Sequence, residues 1–306
     1  MKKPIKRTSD LVSPRQQRNW DWRAASNFIA GGAGGGLLLL TSIASLQPDV
    51  TRTAILFALM LIAGGLTCVW FEIGRPWRAL NVYRHIATSW MTREAVVALV
   101  LFACGALALL TVHPQLVMLT GILGLAFLYS QARILAANKG IPAWRHPRSI
   151  ALMVATGLAE GGGFLACVAL SSSMQIGAWP LVFLIALIAI RAWFWKAYLG
   201  GLVADGAPEG ALRVLNGLAS RFVVLGHAVP ALAVAAALAG MPGREVLVFA
   251  AGIMVAASGW FLKYALVRRA AFTQGLALLH LPVRGQGAAG AAAKPGWKVM
   301  PGVKAG

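Results

Sequence analysis

Long apolar stretches separated by short polar segments dominate the pattern of this chain. Eight of these stretches reach the length of roughly 20 residues that an α-helix needs to cross a bilayer. They occupy residues 26–46, 53–73, 93–112, 115–136, 149–170, 179–199, 218–239 and 245–267. The pattern predicts an all-α polytopic membrane protein of eight transmembrane helices in two four-helix halves. We expect a tail at 1–25, a membrane domain at 26–267 and a second tail at 268–306.

Composition supports the membrane assignment over a soluble one. Hydrophobic residues make up 58% of the chain and charged residues only 12%, and the mean hydropathy is +0.71. A soluble protein of this length needs a more charged surface. Cys68, Cys104 and Cys167 lie inside apolar stretches without the spacing of metal ligands, which predicts neither a metal site nor an iron–sulfur cluster in this chain.

The distribution of basic residues predicts the orientation. All but two of the 28 lysines and arginines lie in the tails, in alternate connecting segments or at the helix ends beside them. The exceptions are Arg52 and Arg244. By the positive-inside rule, both termini and the segment 74–92 should face the cytoplasm, and a bacterial inner membrane is expected. This distribution also argues against a nucleic-acid partner, for which basic residues would follow a groove or a helix face.

A glycine-rich run, GGAGGG at 31–36, lies inside the first apolar stretch. No strand precedes it and no lysine with serine or threonine follows, so a phosphate-binding loop is disfavoured. Small residues four positions apart let membrane helices approach closely. The run therefore predicts tight helix packing.

The segment from Phe71 to Glu94 combines acids, bases and aromatic residues more densely than the other interhelical segments. Glu72 ends the second apolar stretch and Glu94 opens the third, so their carboxylates can lie at similar depth on neighbouring helices. Two interpretations remain open. Each carboxylate could pair with an arginine of the loop, such as Arg93 or Arg75, or it could exchange a proton with a quinone oxygen.

Other polar residues occur inside the apolar stretches. Glu160 lies about 16 Å along the fifth helix, where an unpaired carboxyl should be neutral, and it could be a proton relay or a polar packing contact. Arg191 and Lys196 are expected to extend to the interface. Of the five histidines, only His227 lies well inside an apolar stretch. A bis-histidine haem needs a second histidine facing the first, so no haem is expected in this chain.

The segment between the second and third helices resembles the signature of the dimethyl sulfoxide reductase membrane-anchor family, which is related to polysulfide reductase-type anchors. In that family the second helix ends in a His-Leu-Gly-x-Pro-x-Arg-Ala run, and Ser-x-x-Ser-x-Glu opens the third. Here residues 72–79 read EIGRPWRA and residues 89–94 read SWMTRE. The match covers about 25 residues, and Glu72 stands where the family has its histidine.

The resemblance implies a subunit that anchors a molybdopterin catalytic subunit and an iron–sulfur subunit and exchanges electrons with membrane quinone, either menaquinone or ubiquinone. The family associates the first-element histidine and the second-element glutamate, here Glu94, with the quinol site. Dimethyl sulfoxide reductase anchors present this face to the periplasm, whereas the charges here place it in the cytoplasm. A cytoplasmic partner suits a substrate such as a CoA thioester. The stretches 20–28, 139–144 and 281–285 are similar to the membrane subunit of phenylacetyl-CoA:acceptor oxidoreductase.

The resulting hypothesis places quinone in a cleft at the ends of helices 2 and 3. Glu94 and Glu72 would bond or exchange protons with its oxygens, while Arg75 and His85 would stabilise negative charge on the ring. Two alternatives remain: a secondary transporter, favoured by glycine-rich helices and a midplane carboxylate, and a structural anchor without a quinone site.

Overall fold

The computed structural model describes residues 13–44, 46–73, 81–83 and 85–275. Within them, eight helices are long and apolar enough to cross a membrane, which confirms the predicted fold class. The helices are α1 Trp22–Ile43, α2 Pro48–Glu72, α3 Trp90–Thr111, α4 Pro114–Ala136, α5 Arg148–Ser171, α6 Ala178–Ala204, α7 Glu209–Leu238 and α8 Arg244–Arg269.

Most helix ends lie within a few residues of the expected positions because local sequence signals mark them. Pro48 and Pro114 stand at the first position of their helices, where the missing amide hydrogen costs nothing. The Asp21 carboxylate accepts a hydrogen bond from the Arg23 amide at the start of α1. That bonding to Arg23 lowers the pKa of the Asp21 carboxyl. A short helix, Pro142–Arg145, interrupts the connection between α4 and α5.

Helix α7 begins nine residues before the predicted start at 218, at Glu209. Its first part, Glu209–Val223, buries Leu215 and Phe222 and exposes Arg213 and Ser220. An amphipathic segment of this kind has too low a mean hydropathy to be recognised as part of a span, although it is helical throughout.

The helices form two rings of four, in agreement with the predicted halves. In the first half α1 packs against α2 and α4, and α3 closes the ring between them; in the second half α5 to α8 repeat this order. Helices α1 and α5 meet in the centre. A Cβ at Gly36 would lie 2.0 Å from the carbonyl oxygen of Gly157, and one at Gly35 would lie 2.5 Å from that of Gly124. The run at 31–36 is therefore a packing surface, as predicted.

Three π-helical segments interrupt α1, α7 and α8, at Asn27–Gly31, Val224–Ala228 and Ala265–Arg269. Such segments leave backbone carbonyls without their usual partner in the helix and are frequent at functional sites. Here buried side chains of other helices take up these carbonyls. Gln131 donates to the Asn27 carbonyl at 2.9 Å, and Lys263 donates to the Ile29 carbonyl at 3.4 Å. Arg191 donates to the Gly226 carbonyl, and Trp144 donates to the Leu266 carbonyl at 2.8 Å.

The described parts of the two predicted tails pair with each other. The Gln17 amide donates to the Ala271 carbonyl at 2.8 Å, and the Thr273 amide donates to that of Arg15 at 2.8 Å. Gln16 and Phe272 form an antiparallel bridge between them. These residues lie at the end of the bundle where α1 begins and α8 ends. We call this end the basic face, because most of the described basic residues lie there or in the helix halves next to it. Arg52 and Arg244 lie at the opposite end, and Arg191 lies midway along α6.

Candidate functional site

The start of α3 is tied to the segment before it. The Ser89 hydroxyl caps the helix by accepting from the Thr92 amide, and the Thr92 hydroxyl donates to the Val82 carbonyl. Glu94 follows within the first turns, and its spacing from the buried Ala98 and Leu101 places it on the inward face of the helix. It is 7% exposed.

Amide side chains surround the Glu94 carboxylate. Its Oε1 accepts from Nδ2 of Asn27 at 3.1 Å. The Gln131 side chain acts electrostatically on Glu94 and donates to the backbone carbonyl of Asn27 at 2.9 Å. Arg93 turns away and donates to the carbonyls of Ile86 and Ala87 at 3.0 and 2.7 Å. The proposed pair with Arg93 is therefore wrong, and Arg75 lies outside the described residues. Among the described residues, the hydrogen-bond partner of Glu94 is neutral.

Glu72 ends α2 half-buried beside the start of α1. Arg23 donates to the neighbouring Phe71 carbonyl at 2.7 Å, and Asp21 and Arg23 both act electrostatically on Glu72. Because Arg23 and Asn27 are four residues apart on α1, the two candidate carboxylates both face this helix. They have different partners, and no hydrogen bond joins them in the described part of the chain.

The remaining predicted quinone residues are less constrained. His85 is exposed in the turn before α3, where its carbonyl accepts from the Ser89 amide at 2.9 Å. Arg75, Trp77 and Arg78 lie outside the described residues.

Trp90, the first residue of α3, has several partners in the structure. The guanidinium groups of Arg93 and Arg133 lie 4.3 and 4.5 Å from its ring centroid, and Tyr129 meets it edge-on at 5.9 Å. Each cation near an aromatic ring adds a modest attraction. The first turn of α3 is thereby held to the last turns of α4, beside Glu94.

Glu160 forms a fully buried ion pair with Lys263 of α8, with 2.5 Å between Oε2 and Nζ. The sequence pattern did not single out Lys263, so this contact was missed. Glycines make room for the pair. A Cβ at Gly32 would lie 2.5 Å from the lysine nitrogen, and one at Gly259 would lie 2.3 Å from the free carboxylate oxygen of Glu160.

Arg191 is fully buried, so the expectation that it extends to the interface is wrong, whereas Lys196 is exposed as expected. The Arg191 Nη1 donates to the Val255 carbonyl at 2.9 Å, and the Arg191 Nε donates to Nε2 of His227 at 3.2 Å. Because a guanidinium can only donate, His227 Nε2 must accept, and the ring proton lies on Nδ1. That nitrogen donates to the Phe222 carbonyl at 2.8 Å. Both His227 nitrogens thus position Arg191.

Comparisons with known proteins agree with this architecture. The family model described as DMSO reductase anchor subunit (DmsC) matches residues 28–258. A sulfite dehydrogenase subunit of Allochromatium vinosum is 29% identical over 202 residues, which cover 52% of this chain and 59% of that protein. The chain thus spans less than two thirds of the length of this curated relative. Since the family model covers more than half of the chain and all eight spanning helices wholly or in part, the chain belongs to the DMSO reductase anchor subunit family.

Proposed function

We propose that this chain is the quinone-interacting membrane anchor of a molybdopterin and iron–sulfur oxidoreductase complex, and that it passes electrons from a partner iron–sulfur subunit to membrane quinone. The broader role, membrane anchor of a molybdoenzyme complex, follows from the family and the eight spanning helices. The quinone reaction, its direction and the identity of the partners are the proposal.

The buried Glu94 carboxylate is the observation that carries the proposal. Its described hydrogen-bond partner is the Asn27 amide, which the Gln131 side chain holds through the Asn27 carbonyl, and neutral amides orient a carboxyl group without neutralising it. A carboxyl group held in this way can give or take a proton at a fixed position. Quinone reduction consumes two protons with two electrons, so a positioned proton donor near the membrane surface fits this chemistry.

The surroundings of Glu94 fit an amphipathic substrate. Phe71 and Met91, at the ends of α2 and α3, are large apolar side chains exposed on the surface of the bundle. Quinone would enter there from the bilayer, with its oxygens toward Glu94 and Glu72 and with Arg75 and His85 near the ring. Menaquinone and ubiquinone both meet these requirements.

The basic face is the proposed docking surface for the iron–sulfur subunit, with the molybdopterin subunit beyond it on the cytoplasmic side. We consider two candidate substrates for that catalytic partner. Phenylacetyl-CoA follows from the local similarity at 20–28 and 139–144, and sulfite follows from the name of the curated relative. We favour phenylacetyl-CoA because a CoA thioester must be oxidised inside the cell.

The test uses the purified complex, supplied in separate assays with phenylacetyl-CoA and with sulfite. Quinone reduction is measured for wild type, Glu94→Gln and the control Glu245→Gln, which changes an exposed acid in the first turn of α8. An artificial acceptor that takes electrons directly from the partner is the reference. Glu94→Gln should lower quinone reduction about 10²–10⁴-fold, the usual contribution of a positioned acid or base, and leave the artificial-acceptor rate unchanged.

Equal quinone reduction in Glu94→Gln and wild type would contradict the quinone site and leave a structural anchor. If the complex purifies without a redox partner, the anchor role in electron transfer fails and secondary transport becomes the better explanation. Turnover with sulfite but not with phenylacetyl-CoA would replace the favoured substrate and keep the quinone site.

A further inference from the structure

Four buried side-chain oxygen atoms inside the bundle have no hydrogen-bond partner among the described residues. One is Oγ1 of Thr41, near the far end of α1. The other three are Oδ1 of Asn27, Oε1 of Gln131 and Oε1 of Glu160, on α1, α4 and α5. Buried polar atoms in proteins are nearly always hydrogen-bonded, and internal water supplies the partner where the chain does not. The interior of this bundle therefore requires donors that its own described side chains do not provide.

A single turn of α1 connects the last three of these atoms. Asn27 donates to Glu94, and two residues later the Ile29 carbonyl accepts from Lys263 at 3.4 Å. The glycines that follow in this turn lie directly against the side chains of Gln131 and Lys263. A Cβ at Gly31 would lie 2.4 Å from Nε2 of Gln131, and one at Gly32 would lie 2.5 Å from Nζ of Lys263.

Glu94, Asn27 and Gln131 form one group, which we call the Glu94 group. One π-helical segment, Asn27–Gly31, separates this group from the Glu160–Lys263 pair, and oxygens without a donor lie on both sides of it. Every side chain of the two groups is buried, with exposures of 7% or less. This arrangement shields the route between them from lipid.

We propose that Glu160 and Lys263 form an internal proton donor for the Glu94 site, connected to it by water molecules along the π-helical segment of α1. This inference rests on the proposed function. Quinone reduction takes two electrons from the partner's reduced iron–sulfur cluster and two protons, and two O–H bonds form. Glu94 delivers the first proton, the pair reprotonates Glu94 by donating one of its own, and Glu94 then delivers the second. Glu94 and the pair each regain one proton from the aqueous phase before the next turnover.

The surrounding charges favour this exchange. Arg191 of α6 acts electrostatically on both members of the pair. His227 of α7 faces Arg191 as a neutral ring, α4 contributes the uncharged Gln131, and α1 contributes backbone and glycines. With Glu160 ionised, Lys263 and Arg191 give the group one excess positive charge. Release of a proton removes that excess and leaves Glu160 opposite Arg191, so no uncompensated charge is created.

The test is the pH dependence of quinone reduction by the purified complex. The variant Glu160→Gln/Lys263→Gln removes both charges and keeps two side chains that can bond to each other. Replacing both members of a buried ion pair costs far less stability than removing only one of them. The control is Thr156→Val, one turn before Glu160 on α5, where the hydroxyl bonds only to the carbonyl of its own helix at Leu152.

We expect a level wild-type profile in the alkaline range, because the internal donor supplies the proton. In the double variant the proton must come from solution, so the rate should fall about tenfold per pH unit. Glu160→Asp, which keeps a carboxyl group, should restore the level profile, and Thr156→Val should retain it. The artificial-acceptor rate should be the same in all variants.

A double-variant profile parallel to that of wild type would overturn the proposal and leave the pair as a brace between α5 and α8. If the two profiles are parallel and Glu94→Gln still loses quinone reduction, the internal proton donor is overturned and the quinone site is kept. If the double variant does not assemble, redox-induced infrared difference spectra of Glu94→Gln decide. A remaining buried carboxyl signal supports the proposal, and its absence overturns it.

Discussion

Two buried carboxylates in this molecule are stabilised in different ways. The Asn27 amide holds Glu94, whereas Lys263 holds Glu160. The sequence predicted that both acids matter, because so few acids occur in the chain and both lie in or beside an apolar stretch. It placed Arg191 at the interface and did not single out Lys263, because an apolar stretch shows that a helix spans the membrane and not which way each of its side chains points. Both cations face neighbouring helices, where carbonyls and a carboxylate replace water.

Protonation of His146 is predicted to destabilise the connection between α4 and α5. The ring lies edge-on against Tyr198, its Nδ1 accepts from the Arg148 amide at 3.2 Å, and its Nε2 lies 3.6 Å from Oδ2 of Asp205. Burial lowers the pKa of His146 below its ordinary value of 6.5. The unfolded chain therefore binds the proton more readily, and stability present above pH 6.5 is lost as the pH falls through the lowered pKa.

Thermal unfolding in detergent, measured across that pH range, checks this prediction. His146→Gln should lose part of the stability at neutral pH and show a smaller decrease on acidification. His113→Gln, an exposed histidine beside α4 at the opposite end of the bundle, is the control. Identical pH dependence in the two variants would contradict the role of His146.

At the scale of single helices, small residues set the contacts. Gly35 and Gly36 of α1 face α4 and α5 at distances that leave no room for a methyl group, and Gly163 of α5 meets Gly252 of α8 in the same way. Glycines four residues apart predicted this packing, and the prediction is confirmed. The π-helical segments could not be predicted, because they arise where Lys263, Arg191, Gln131 and Trp144 take carbonyls from a neighbouring helix.

A methyl group at Gly36 should weaken the contact between α1 and α5. Its Cβ would lie 2.0 Å from the Gly157 carbonyl oxygen, so the helices must separate. Gly36→Ala is expected to lower the free energy of unfolding by about 1–3 kcal/mol or more, as overpacking does. The measurement is unfolding by a denaturing detergent in mixed micelles.

The matched control is Gly64→Ala on α2, whose Cβ would meet nothing within 4 Å. It should be neutral or add up to about 1 kcal/mol, because alanine favours the helical state more than glycine does. Equal stabilities of Gly36→Ala and Gly64→Ala would show that α1 and α5 adapt without loss.

At the scale of the whole molecule, the sequence predicted the helix count and the two four-helix halves, since apolar length and order along the chain determine both. It did not predict that each half closes into a ring. It did not predict which helices meet in the centre. That depends on the match between glycines of α1, α4 and α5, which no single stretch contains. The orientation of the bundle in the membrane stays a prediction from the distribution of lysine and arginine.

Cysteine labelling tests the orientation. Thr88 and Ser172 are exposed in connections at opposite ends of the bundle, at the basic face and at the face of Arg52 and Arg244. In a variant without native cysteines, a membrane-impermeant maleimide should label Ser172→Cys in intact spheroplasts and Thr88→Cys only after lysis. The reverse pattern would place the basic face in the periplasm.

The pairing of residues 15–17 with 271–273 has a consequence for biosynthesis. Arg15 donates through its amide to the Thr273 hydroxyl across a separation of 258 residues. At ribosomal speed, roughly ten seconds to a minute pass between the appearance of the two segments. The early segment therefore waits, without this partner, until the last helix has left the ribosome. A partner subunit that recognises the joined segments would bind finished chains and ignore truncated ones.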